Sequence, residues 1–127
     1  MKVAVIFHRF GPYHDARLVA AGKTCGEVIA IELSAETSDY AWQKVEASRS
    51  YRRVTLFNEG NSRAAHPNEL KARLDQSLDE CSPDAVAIPG WSDRGAFAAI
   101  QWCLGNAVPA IVMSESTAHD ERRSVWK

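Results

Sequence analysis

The feature that most constrains this chain is an alternation: short, uninterrupted apolar runs take turns with segments of helical periodicity. Lys2 to Phe7 reads K-V-A-V-I-F and ends at a polar loop, the pattern of a strand buried on both faces. Glu27 to Leu33, Val54 to Phe57, Ala85 to Ile88 and Ala110 to Met113 repeat it. Between these runs, Asp15 to Lys23 carries Leu18 and Val19 on an apolar face, and Gly26 suits the stop that follows. Pro67 opens a helix to Cys81, with Leu70, Leu74 and Leu78 recurring every fourth residue. Asp93 is placed to cap a helix running to about Leu104, with Gly105 and Asn106 as its stop. Strands that alternate with helices form βαβ units, because a parallel partner is reached only by a crossover. The expected fold is therefore α/β: a parallel sheet of about five or more strands with helices on both faces, three-layer α/β/α. Residues 37–53 hold Tyr40, Trp42 and Val45 among polar neighbours and read as a loop with a strand. The charged segment from His119 to Lys127 is helix-competent and lacks a terminator, so the chain is expected to stop inside an element.

Size and charge narrow the partners. A chain of 127 residues suits one domain and needs no staples to fold. A net charge of -1 supplies no global field toward nucleic acid or an anionic membrane, so nucleic acid is not an expected partner. The basic clusters Arg49, Arg52, Arg53 and Arg122, Arg123 read as solvated surface. Cys25, Cys81 and Cys103 match no metal-ligand or redox spacing, and are expected to be reduced, mostly buried thiols in a cytoplasmic protein. Only five apolar residues follow Lys2, which argues against a secretory leader, and no apolar run approaches a membrane span.

In an open parallel sheet, ligands bind at the carboxyl ends of the strands, where loops converge and helix N-termini offer free N–H groups. Three loops on that expected edge stand out. The first is His8, Arg9, Phe10, Gly11, Pro12, Tyr13, His14; Gly11 lets backbone approach a ligand. His14 there reads either as a phosphate donor or catalytic base, or as a residue that caps local structure; His8 and Arg9 divide the same way. In the second loop, Pro89 to Arg94, Trp91 reads as a platform for a sugar ring or as core, Ser92 as a hydrogen-bonding group and Asp93 as a helix cap. In the third, Ser114 to Thr117, Glu115 reads as an acceptor of substrate hydroxyls or as a surface carboxylate. Trp42 and Trp102 read as core or interface.

Several signatures are missing. No G-x-G-x-x-G follows the first strand, and Glu32 is followed by Leu33 instead of closing its strand in a dinucleotide pattern. There is no G-x-x-x-x-G-K-[ST] loop and no G-x-S-x-G elbow. A phosphoacceptor domain of this length needs acidic residues after the first strand and an aspartate after the third; His8, Arg9, Asn58 and Glu59 occupy those places.

Taken together, H-R-F-G-P-Y-H-D-A-R-L (His8 to Leu18), Y-A-W (Tyr40 to Trp42), T-L-F (Thr55 to Phe57), P-D-A-V-A-I-P-G-W-S (Pro83 to Ser92) and the strand, Ser-Glu-Ser and basic segment from Ala110 to Lys127 resemble the N-terminal domain of family-4 glycosyltransferases. The resemblance covers nearly the whole chain. It implies a Rossmann-like domain, residues 1–127, that forms the acceptor-binding half of a two-domain GT-B enzyme. The C-terminal domain, which binds the nucleotide sugar and carries an E-x7-E pair, lies outside this sequence. It implies a retaining transfer from a nucleotide sugar to a sugar or lipid-linked acceptor, without cofactor or metal, and an inactive half when alone. The same resemblance sets His14 as the catalytic candidate and His8, Arg9, Phe10, Gly11, Pro12, Arg17, Trp91, Ser92, Glu115 and Ser116 as substrate-binding. Many members carry a histidine after the fourth strand, where this chain has Trp91 and Ser92. A cytoplasmic location, with the inner-membrane periphery open to members that act on lipids, goes with the same reading. So does a homodimer formed through the exposed interdomain face. Two alternatives stay open: a free-standing ligand-binding module of flavodoxin-like topology, and a subunit that pairs with a separately encoded catalytic domain.

Overall fold

The computed structural model describes residues 1–35, 50–58 and 65–113. In chain order the elements are β1 (Lys2–Phe7), α1 (Pro12–Gly22), β2 (Glu27–Ser34), β3 (Arg52–Phe57), α2 (Pro67–Cys81), β4 (Ala85–Ile88), α3 (Arg94–Asn106) and β5 (Ala110–Val112). The strands form one parallel sheet in the order β3-β2-β1-β4-β5. This is a three-layer α/β/α Rossmann-like fold. The flavodoxin-like alternative is corrected here: that topology places β1 between β2 and β3, whereas here β1 lies between β2 and β4.

Side chains leave a strand alternately to its two faces, and the alternation divides the core in two. Ala4 and Ile6 of β1 and Ile29, Ile31 and Leu33 of β2 face α2 and α3. Leu70, Leu74 and Leu78 meet them from α2, and Ala96, Ala99 and Trp102 from α3. On the opposite face Val28 and Ala30 pack with Phe10, Tyr51 and Leu18 of α1. Trp102 is a core residue, its indole Nε1 donating to Asp79 Oδ1 at 2.8 Å. Cys81 and Cys103 are buried free thiols, and burial pushes both up from the ordinary thiol value. No helix among the described residues is long and apolar enough to cross a membrane.

Three element bounds differ by two residues or more from expectation, and others by one. Helix α1 starts at Pro12, three residues before the expected Asp15. Proline suits a first helical turn, because the N–H it lacks has no intrahelical partner there anyway. Strand β3 starts at Arg52 because Arg52 and Arg53 still register against Ile29 and Ala30. Helix α3 runs through Gly105 and ends on Ala107, which adopts the left-handed conformation at φ 54°. The N–H groups of Ala107 and Val108 both return to the Cys103 carbonyl, and Val108 packs on the core. The half-buried valine, not the glycine, decides where that helix stops. The segments 37–49 and 114–127, with Tyr40, Trp42 and the expected third loop, lie outside the described residues.

Candidate ligand site at the β1–β4 edge

The chain leaves β1 toward β2 and β3 on one side, and takes β4 and β5 to the other. That reversal opens a crevice at the carboxyl ends of β1 and β4, since the connections depart in opposite directions. The loop after β1 and the loop after β4 flank it. Ser34 N–H donates to the His8 carbonyl at 3.0 Å, so the ladder continues one residue past β1 and fixes where His8 projects.

Two cavities, of about 330 and 310 Å³, open there, and His8 lines both. One lies toward α3, lined by Leu33, Leu70, Ser92, Asp93, Arg94 and Gly95. Its shape depends on Gly95, because a Cβ there would come within 2.5 Å of Leu33 Cδ1. The other lies toward α1, lined by Phe7, Arg9, Phe10, Gly11, His14 and Pro89. Gly90 turns the chain out of β4 at φ +89°, a conformation that side-chain-bearing residues rarely adopt.

Asp93 joins the two loops. Its Oδ1 accepts from Ala96 N–H at 3.0 Å, which caps α3, and its Oδ2 lies 3.2 Å from His8 Nε2. Burial opposes ionisation of this carboxyl, but the hydrogen bonds from His8 and Ala96 outweigh it and hold it below the ordinary carboxylate value.

His14 sits at the other wall. Its Nδ1 accepts from Gly11 N–H at 3.1 Å, and its ring lies 4.5 Å from that of Phe7. Burial, then the neighbouring Arg17, pushes its imidazole down from the ordinary value of 6.5; a backbone hydrogen bond with Arg9 opposes them. The ring is thus neutral at pH 7 and closes the Gly11 loop onto the start of α1.

The loop is also anchored from beneath. Glu32, only 1% exposed, accepts from Phe10 N–H at 2.7 Å, from Arg53 Nη2 at 2.8 and 3.0 Å, and from Thr55 Oγ1 at 3.1 Å. Arg53 in turn stacks its guanidinium 4.6 Å over the Phe10 ring. A carboxylate near the end of β2 is where dinucleotide-binding folds hold a ribose. Here it is turned inward and consumed.

Of the residues singled out from sequence, His8, Arg9, Phe10, Gly11, His14 and Ser92 line the two cavities. Phe10 does so as a buried floor, at 3% exposure. Pro12 and Arg17 belong to the exposed face of α1, with Arg17 stacked 4.2 Å over Tyr13. Trp91 is not core: it stands 64% exposed on the loop after β4. Glu115 and Ser116 lie outside the described residues. Two contributors were not recognised from sequence, Glu32 as the anchor and Asp93 as the partner of His8. The signal for Glu32 was present, since a carboxylate inside an otherwise apolar buried strand has to be paired.

Fold and site define a class: a Rossmann-like α/β/α domain with an open crevice at its topological switch point. Among solved structures, it is similar to the UDP-GlcNAc 2-epimerase from Methanocaldococcus jannaschii, at 11% identity and a TM-score of 0.55, over 94% of this chain and 33% of that one. The MnaA–UDP co-structure from S. aureus aligns at 16% identity and a TM-score of 0.48, over 88% of this chain and 28% of that one. The chain therefore spans about a third or less of the solved structures it is similar to. No protein-family model matches the sequence, and no curated protein matches it.

Proposed function

We propose that this chain is the acceptor-side half of a two-domain enzyme that moves a sugar from a nucleotide sugar to a hydroxylated acceptor. The observation that carries the reading is the crevice at the β1–β4 switch point, where two cavities meet at His8. Their lining suits a sugar and its phosphates: apolar floors from Leu33, Leu70, Phe7 and Phe10 for ring faces, His8, Asp93 and Ser92 for hydroxyls, and Arg9 and Arg94 for negative charge. Exposed Trp91 adds a platform at the rim. The fold likeness to an enzyme named for UDP-GlcNAc supports the nucleotide-sugar part of the reading. The sequence resemblance to family-4 glycosyltransferases supports the transfer part and a missing C-terminal domain. His14 acts in this reading by tying the Gly11 loop to the start of α1.

Sugar transfer competes with hydrolysis, so water has to be excluded and both substrates aligned. Closing domains achieve that, and one domain offers an open half of the cleft. The isolated chain is therefore expected to bind but not to turn over. Amide NMR of the labelled chain titrated with UDP-GlcNAc tests the binding, with shifts expected at Gly11, Gly90, Trp91 and Gly95. A turnover assay with radiolabelled nucleotide sugars tests the second half. Efficient transfer by the chain alone, or shifts confined to residues away from the β1–β4 edge, overturns the proposal.

A further inference from the structure

We propose that the acceptor is an anion: the α3-side cavity takes a hydroxylated molecule bearing a phosphate or carboxylate, held by Arg94 and Ser92. This names the substrate class of the cleft, and rests on the reading of the chain as the acceptor side of a sugar-transferring enzyme. The two cavities differ in what lines them. Gly11 brings bare backbone to the α1-side cavity at the start of a helix, where the diphosphate of a nucleotide sugar can approach closely. The α3-side cavity is left for the acceptor. Its volume of about 330 Å³ lies within the range of small-molecule pockets.

The polar groups of that cavity are not equally available. Asp93 is the anion of its lining, and both carboxylate oxygens are committed. Oδ1 accepts from Ala96 N–H at 3.0 Å, and Oδ2 lies 3.2 Å from His8 Nε2. Ser92 and Arg94, its chain neighbours, are exposed at the same wall. Among the described residues their side chains make no hydrogen bond, ion pair or ring contact. The other described arginines are used or placed differently. Arg53 pairs with Glu32, Arg73 pairs with Glu69, and Arg17 stacks over Tyr13. Arg9 lines the α1-side cavity. Arg52 stands at the start of β3, the opposite end of the sheet from the loops after β1 and β4. Arg94 is thus the arginine that meets the acceptor-side cavity with its guanidinium unspent. That group is a planar fork of donors that matches a carboxylate or phosphate, whereas a neutral hydroxyl engages it at one point. Ser92 adds a hydroxyl donor beside it. Leu33 and Leu70 leave the inner wall apolar, for a carbon skeleton.

Three probes built on one sugar frame separate the charge from the hydroxyls: glucose, glucose 6-phosphate and glucuronate. Amide NMR of the labelled chain, titrated with each, reads both affinity and place. An anionic probe is expected to bind at least about fivefold tighter than glucose, with shifts at Ser92, Arg94 and Gly95. The larger gain tells phosphate from carboxylate, and either supports the assignment. Arg94→Gln, a change at an exposed side chain, is expected to bring both anions to the affinity of glucose. Arg52→Gln is expected to leave the gain in place. Two anions no tighter than glucose, or a gain that survives Arg94→Gln, overturns the proposal. So does a gain that disappears when UDP-GlcNAc saturates the chain, since Arg94 then serves the diphosphate of the donor. The wild-type comparison needs no variant to fold. Absence of any UDP-GlcNAc shift at the β1–β4 edge fails the cleft reading instead, so the two failures are distinguishable.

Discussion

At the scale of single residues, the half-buried His14 and the buried Glu32 at the first loop carry opposite obligations. Folded His14 holds its proton less readily than the unfolded chain, because burial and Arg17 disfavour the imidazolium. Between its lowered folded value and the unfolded 6.5, the unfolded chain binds more protons, so stability rises with pH. This contribution is complete above 6.5 and is lost as pH falls through the folded value. Urea unfolding between neutral and mildly acidic pH should show that slope, and His14→Gln should flatten it; parallel pH profiles would refute the assignment. Glu32 is a paired charge with four hydrogen bonds to its oxygens. Glu32→Gln leaves the Arg53 guanidinium without its counter-charge, so a loss of about 3 kcal/mol is expected in denaturant unfolding. A loss under about 1 kcal/mol would show that the carboxylate contributes little beyond filling space.

At the scale of elements, the caps show both what the chain spells out and what it conceals. Helix α2 and strand β4 have the bounds that their patterns predict, because proline opens the one and an uninterrupted apolar run spans the other. The end of α3 was not legible: Gly105 and Asn106 signal a stop, yet the helix continues until Val108 can reach the core. Ala107 therefore holds a left-handed conformation that costs an L-residue roughly 1 kcal/mol. Ala107→Gly is expected to stabilise the protein by about 0.5–1 kcal/mol, read as a higher denaturation midpoint; no gain would mean that α3 ends otherwise in solution. The site divides along the same line. The Gly11 and Gly90 loops are local signals and were readable. The His8–Asp93 contact joins residues 85 positions apart, and Glu32 reaches Phe10 across 22. No local pattern encodes either pairing, because each exists only once the sheet order brings the loops together.

At the scale of the whole molecule, the described helices cover the sheet unequally, and one of the two cavities lies against the thinner side. Helix α1 contributes Leu18 as its one fully buried side chain, whereas α2 contributes Leu70, Leu74, Leu78 and Cys81. At about 2 kcal/mol for each buried leucine, α2 is held by several kcal/mol more than α1 among the described residues. Yet α1 carries His14 and is capped by Gly11, and so shapes one of the two cavities. A layer held by so little burial opens without unfolding the rest, since local stability follows local burial. Native-state hydrogen exchange should find this as a sub-global opening. Amides of Leu18 to Ala21 are expected to be about 1–3 kcal/mol less protected than those of Leu74 to Leu78. Ligand in the crevice engages the Gly11 loop only when α1 is docked, so UDP-GlcNAc should raise α1 protection selectively. Equal protection of the two helices in the free chain would mean that the α1 layer is sealed by contacts outside the described residues. A ligand effect spread evenly over both helices would leave the crevice uncoupled from the layer that forms its wall.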